Sequence, residues 1–350
     1  GMYIMKKFSQ INKFILLALT MIITIPFIAG CSGETAKPTI KFSDRQWESI
    51  WLSNSIAQFI IEKGYDYPTE VIQMDTPVMQ VAITKGEIDI DIEAWQQNYP
   101  EWYEEETAKG NIETLGYSLE GGPQFFCIPQ WVHEEYGIDT VEDMKDNWEL
   151  FKDPENPNKG LFINSMVGWA CTEINEIKFE AYGLDDYYNI ITPGTSGAET
   201  AALAGPQMKN EPVFGYYWAP SPLMGMYDWY VVEEPAYDPD VWATIQAAVD
   251  DPSLRPLDEA CAYESVPVAI IAHAGLREKA PDVAAMMEHF EVRVDRCNRV
   301  LAWAETTEIQ NWERAAVWFL REYDEVWKTW VTADAYTKVK AAVDDYGPLP

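Results

Sequence analysis

The chain has 350 residues, enough for a large core and for two lobes rather than one. It carries 57 acidic against 25 basic side chains, a formal net charge of −32, which repels nucleic acid and anionic membrane surfaces. Its five cysteines and three histidines show no Cys-x-x-Cys or Cys/His spacing of a metal site, so neither a metal nor a cofactor is expected.

The first segment carries targeting signals. Lys6, Lys7 and Lys13 precede an apolar run over 14–28, which is short of the ~20 residues that span a bilayer. Small residues follow at Ala29 and Gly30, then Cys31. The Ile28-Ala29-Gly30-Cys31 run resembles a bacterial lipobox. On that reading 1–30 is a signal peptide, Cys31 is lipidated and becomes the mature first residue, and the small polar stretch 31–37 is a tether. The secreted context permits disulfides among Cys127, Cys171, Cys261 and Cys297, and spacing does not choose among the three pairings.

From residue 39 the pattern alternates strand and helix, which argues for an α/β architecture. A short strand at 39–43 leads to a helix over 47–63, with Trp47, Ile50, Trp51, Ile56, Phe59 and Ile60 at helical spacing and Gly64 as its stop. A strand at 71–74 precedes a helix opened by Asp75-Thr76-Pro77, with Asp75 and Thr76 as capping residues. The stretch 87–95 alternates isoleucine with acid and reads as a strand with one apolar face. Further strands are expected at 124–129, 161–164, 213–218 and 263–273. Helices are expected at 141–144, 171–182, from 199 onward, at 281–290 and over 308–331. In the last of these Trp312, Trp318, Trp327 and Trp330 are packing residues.

Three tryptophans share one position in this scheme. Trp95, Trp169 and Trp218 each follow the C-terminal end of an expected strand, the edge where open α/β sheets bind ligands. Tryptophan faces attract cations through the negative ring quadrupole. Trp169 also stands at a helix start, where the N–H groups of Ala170 and Cys171 lack helical acceptors and suit an anion. Cation faces beside an anion-binding helix end fit a small zwitterion with a quaternary ammonium and a carboxylate.

With these motifs on view, the chain resembles the substrate-binding proteins of ABC transporters for glycine betaine and proline betaine. The resemblance runs from Thr39 to about Val343. It is carried by Gly64-Tyr65, Gly86-Glu87-Ile88-Asp89 leading to Glu93-Ala94-Trp95, Gly168-Trp169-Ala170-Cys171, and Pro212-Val213-Phe214 leading to Trp218-Ala219-Pro220. It implies a two-lobed periplasmic-binding-protein fold of type II, each lobe a mixed sheet flanked by helices, with a hinge and a cleft between. The lobes are expected at 38–126 plus 232–345 and at 127–231. The resemblance assigns the ammonium cage to Trp95, Trp169 and Trp218, and the carboxylate to backbone N–H groups of Ala170 and Cys171. Several relatives have a proline and a histidine where this chain has Gln97 and Tyr99, so Tyr99 is expected to donate its hydroxyl instead. Some relatives also bracket the second tryptophan with a cysteine pair. Ser165 stands in the partner's place here, and Cys261–Cys297 is the disulfide expected if one forms.

The implied partners are a quaternary ammonium solute, a membrane permease and its ATPase, and a bacterial membrane reached through the lipid anchor, with no enzymatic activity. Choline, carnitine, trimethylamine N-oxide or a sulfonium solute would fit the same cage. From the residues alone, a secreted carbohydrate-binding or carbohydrate-active lipoprotein is the reading from another class, since tryptophan clefts also stack on sugars.

Overall fold

The alternation of strand and helix is realised as two five-stranded mixed sheets in the computed structural model, which describes residues 36–307 and 311–349. The expected signal peptide and Cys31 lie outside the described residues. Among the described residues no helix is long and apolar enough to cross a membrane.

The strands are β1 (Ile40–Asp44), β2 (Thr69–Gln73), β3 (Ile90–Ala94), β4 (Ile112–Leu119), β5 (Gln124–Pro129), β6 (Gly160–Ile163), β7 (Tyr188–Ile191), β8 (Phe214–Trp218), β9 (Trp229–Val231) and β10 (Val268–His273). The first sheet has the order β2-β1-β3-β10-β4 and the second β7-β6-β8-β5-β9. β1 runs parallel to β2 and β3, while β10 is antiparallel to β3 and β4. In the second sheet β6 is parallel to β7 and β8, and β5 is antiparallel to β8 and β9. The major helices are α1 (Glu48–Tyr65), α2 (Thr76–Thr84), α3 (Pro100–Lys109), α4 (Ala170–Ala181), α5 (Ser196–Met208), α6 (Pro239–Asp250), α7 (Val294–Thr306), α8 (Trp312–Glu322) and α9 (Ala333–Asp345).

The first sheet buries Ile40, Phe42, Ile90 and Ile92 together with Ile50, Ile56 and Ile60 of α1. Helix α1 does not stop at Gly64 as expected. It runs to Tyr65 and ends at Asp66, whose φ of 58° is left-handed. Gly64 serves packing instead, because a Cβ there would lie 3.0 Å from Val339 of α9. The tail is not one helix over 308–331. It breaks between Glu322 and Asp324, and 308–310 lie outside the described residues. Its tryptophans pack as expected: Trp327 is fully buried, and Trp312 lies 5.6 Å from Trp51. In the second sheet Phe126, Phe162 and Phe214 form an aromatic centre with ring centroids 4.8–6.0 Å apart.

The chain leaves the first sheet after Leu119 and enters the second at Gln124, where β5 pairs with Trp218 of β8. Helix α6, which follows β9, packs on α4 of the second sheet. Strand β3 has no solvent face. All five of its residues are buried, Asp91 and Glu93 included, because it lies at the centre of the first sheet.

Cys127, Cys171, Cys261 and Cys297 are free and buried, so the expected Cys261–Cys297 disulfide is absent. Each of two thiols has another neighbour: Cys261 donates to the Asp238 carbonyl at 3.7 Å and Cys171 to Ser165 Oγ at 3.3 Å. Burial raises the pKa of all four, that of Cys171 to about 12, so its position at a helix start does not make it reactive. A thiol reagent at pH 8 is therefore expected to label none of the four in the native protein and all four after unfolding. Mass spectrometry of labelled protein reads this directly.

Candidate functional site

The site begins with the acids of β3. Asp89, Asp91 and Glu93 share one side of the extended segment because strand side chains alternate. Each of them holds part of the chain running from β1 into α1. Asp89 accepts from the Lys41 N–H at 2.8 Å and pairs with Lys279 at 2.7 Å. Asp91 accepts from Ser43 Oγ at 2.9 Å and from Arg45 Nη1 at 3.0 Å. Glu93 accepts from Trp47 Nε1 at 2.7 Å, Ser49 Oγ at 2.8 Å and Ser53 Oγ at 3.2 Å. The row thereby fixes the β1–α1 connection, with the side chains of Arg45 and Trp47 on the cavity wall.

The opposite wall comes from the second sheet. Gly168 has a φ of 91°, and a Cβ there would lie 3.0 Å from Asp75 Cβ. Only glycine reconciles that conformation with that approach. The Gly168 carbonyl accepts from the Thr76 N–H at 3.2 Å, and Trp169 Nε1 donates to the Arg45 carbonyl at 3.0 Å. Trp169 is the N-cap of α4 and offers no capping side chain, so the N–H groups of Ala170 and Cys171 lack helical acceptors at a positive helix end. Asp75 caps α2 through the Val78 N–H at 3.1 Å, as expected, whereas Thr76 lines the cavity and accepts from Arg45 Nη2.

The structure brings Trp95, Trp169, Trp218, Ala170, Cys171 and Tyr99 to one cavity. Trp169 and Trp218 meet at 87° with centroids 5.1 Å apart, and Trp47 meets Trp169 at 88° and 5.3 Å. Trp95 stands separately, its position set by Gly122: a Cβ there would lie 2.8 Å from the Trp95 ring. All four indoles are buried. The cavity they enclose is narrow, with a volume of about 30 Å³.

Trp47, read from the sequence as one of the apolar positions of a helix, also lines the cavity, and Arg45, Asn98, Gln124 and Tyr216 were missed. Gln124 Nε2 donates to Asn98 at 2.9 Å and its Oε1 accepts from Tyr216 at 2.8 Å, which joins the two sheets at the cavity floor. The Tyr99 hydroxyl is buried without a partner and its pKa is raised, chiefly by burial. No carboxylate lines the cavity, and no group of three or more acidic, histidine or cysteine side chains suits a metal among the described residues.

Two mixed sheets flanked by helices, with an aromatic cavity between their connecting loops, define a binding protein of the periplasmic class. The chain belongs to the family described as the substrate binding domain of the ABC-type glycine betaine transport system, whose model matches residues 38–322. It is 24% identical over 213 residues to a glycine betaine-binding periplasmic protein of Dickeya dadantii, covering 58% of this chain and 61% of that protein. It is 22% identical over 208 residues to a glycine betaine/proline betaine-binding periplasmic protein of Salmonella typhimurium, covering 57% and 60%. The chain thus spans about 60% of the length of these two relatives. In fold it is similar to a glycine betaine, L-proline ABC transporter binding protein of Borrelia burgdorferi, with a TM-score of 0.68 at 21% identity over 86% of this chain and 99% of the other. It is also similar to a choline binding protein solved with choline, with a TM-score of 0.66 at 17% identity over 87% and 98%.

Burial pushes the Glu93 carboxyl up from 4.5 to about 7, against the lowering effect of its three donors. The folded protein therefore favours the protonated form. The stability that this proton confers is complete below about pH 4.5 and is lost as pH rises through about 7. Glu93→Gln is expected to remove this slope, so that its stability relative to the native protein rises as pH goes from 5 to 8. Thermal unfolding of both proteins between pH 5 and 8 checks it.

Proposed function

We propose that the protein is the substrate-binding component of an ABC importer and captures a quaternary ammonium compatible solute of the glycine betaine or proline betaine type. The observation that carries this reading is the narrow, carboxylate-free cavity walled by Trp47, Trp95, Trp169 and Trp218 beside the uncapped start of α4. Orthogonal indole faces suit the methyl groups of a tetrahedral ammonium, which no single plane covers. Each desolvated face contributes ~1–2 kcal/mol, and each hydrogen bond to a charged carboxylate ~1.5–3 kcal/mol. Three faces and two or three such bonds sum to a gross ~6–15 kcal/mol, a range that contains the roughly 8 kcal/mol of micromolar binding before the costs of immobilisation are subtracted.

The cage roles fall on Trp95, Trp169 and Trp218, and the carboxylate roles on the N–H groups of Ala170 and Cys171 and on the Tyr99 hydroxyl. The first sheet with its helices forms one lobe. The second sheet with α4, α5 and α6 forms the other, and ligand favours their closure. Family membership and the basic, apolar, Cys31-terminated leader support a role outside the cytoplasmic membrane, tethered by lipid at Cys31 and delivering solute to a permease driven by an ATPase. Glycoside hydrolysis needs two carboxyl groups flanking the bond to be cut; none lines the tryptophan-walled cavity itself, while Glu101, Glu105, Glu173, Glu176 and Asp250 line the adjoining space beside Tyr99 and Trp169.

A thermal-shift screen of glycine betaine, proline betaine, choline, carnitine, trimethylamine N-oxide and oligosaccharides tests the class. Stabilisation by a methylated ammonium and by no sugar is the expected result, and stabilisation by sugars alone refutes the reading. Trp169→Ala is expected to weaken the best ammonium ligand by about 2 kcal/mol, roughly 30-fold. Unchanged affinity would move the cage elsewhere.

A further inference from the structure

We infer that Arg45 is the residue that makes this cavity select a carboxylate-bearing zwitterion over a simple quaternary ammonium cation such as choline. The inference rests on the ammonium-binding function proposed above and adds the class of solute. Arg45 is 2% exposed and is one of the residues lining the cavity. Nη1 donates to Asp91 and Nη2 to Thr76, while Nε, buried, has no partner. Two further buried donors among the lining residues also lack a partner, Trp95 Nε1 and the Tyr99 hydroxyl, the latter near enough to the guanidinium to feel its charge. Leaving buried N–H and O–H groups unpaired costs free energy that an acceptor between them would recover. A ligand carboxylate supplies two acceptor oxygens, and its hydrogen bonds to a guanidinium are charge-assisted.

The ion pair between Arg45 and Asp91 is neutral as a unit but oriented. Asp91 is fully buried and does not line the cavity, whereas Arg45 does, so the cavity meets the positive end. The guanidinium carbon lies over the Trp47 ring at 5.5 Å, and Trp47 packs orthogonally on Trp169. A cation held at the Trp169–Trp218 corner therefore shares a narrow, low-dielectric space with a fixed positive group. An ammonium alone is repelled, while an ammonium joined to a carboxylate has its own negative end to set against Arg45. The α4 start adds positive potential of the same sign.

The test compares dissociation constants for glycine betaine and choline by calorimetry in the full mature chain and two variants. Arg45→Lys keeps the charge beside Asp91 but removes the Nε–H. Arg45→Met combined with Asp91→Asn removes both charges together, so that no carboxylate is left buried and unpaired. In the native protein glycine betaine is expected to bind more tightly than choline. Arg45→Lys is expected to weaken glycine betaine with little effect on choline. The double variant is expected to weaken glycine betaine tenfold to a hundredfold and to leave choline unchanged or tighter. Circular dichroism confirms that each variant is folded. If both ligands weaken by the same factor, or if glycine betaine is unaffected, Arg45 is not the selecting residue and this inference fails alone. If the native protein binds no methylated ammonium, the proposed function fails and the inference falls with it.

Discussion

A row of buried carboxylates on and beside one central strand organises the binding face. Asp89, Asp91 and Glu93 lie inside the first sheet and are satisfied by groups from the β1–α1 segment, which is more than 40 residues earlier in the chain. An ionised group in such a place is costly without partners. The burial of these acids therefore commits the β1–α1 segment to one path, and that path carries Arg45 and Trp47 to the cavity. Charges that look like solubilising surface groups act here as internal anchors for the recognition loop.

The positions of Trp95, Trp169 and Trp218 were legible because strand ends, helix starts and a Gly-Trp turn leave local marks. The cavity's polar side chains were not. Arg45 stands two residues before Trp47 in a stretch of mixed charge, where nothing local distinguishes a cavity-facing arginine from a surface one. Gln124 opens the apolar strand QFFCIP and reads as its polar edge, although it is bonded across to Asn98. The alternation over 87–95 was read as a strand with one apolar face, whereas the strand covers only Ile90–Ala94 and is buried on both faces, because periodicity reports which residues share a face and not what lies opposite that face. The edge strands β7 and β9 were missed for a related reason: partly exposed strands of four and three residues carry too little pattern. Helix α3 has no buried residue at all, so no apolar stripe announces it.

The cavity interleaves aromatic and polar recognition. Indoles at right angles offer faces in several directions, and residues of the same lining carry the unpartnered donors Arg45 Nε, Trp95 Nε1 and Tyr99 Oη. Placing both on loops from two sheets makes the chemistry depend on how those loops meet. Gly122 and Gly168 leave little tolerance there, since a Cβ at either position would come within 3.0 Å of Trp95 or Asp75.

The attachment of Trp169 bears on the timing of exchange. Its ring belongs to the second sheet by covalent connection, but its indole N–H is held by the Arg45 carbonyl, and the neighbouring Gly168 carbonyl is held by the Thr76 N–H. In the proposed opening both bonds must break before the cavity is exposed. The central wall then leaves with one lobe and its orienting partners with the other, so neither half retains a complete receptor. A bound solute is thus released by a conformational step rather than by desorption from an intact pocket. Residence time is then governed by how often the lobes part, and two solutes of different intrinsic affinity can share a dissociation rate close to that of opening.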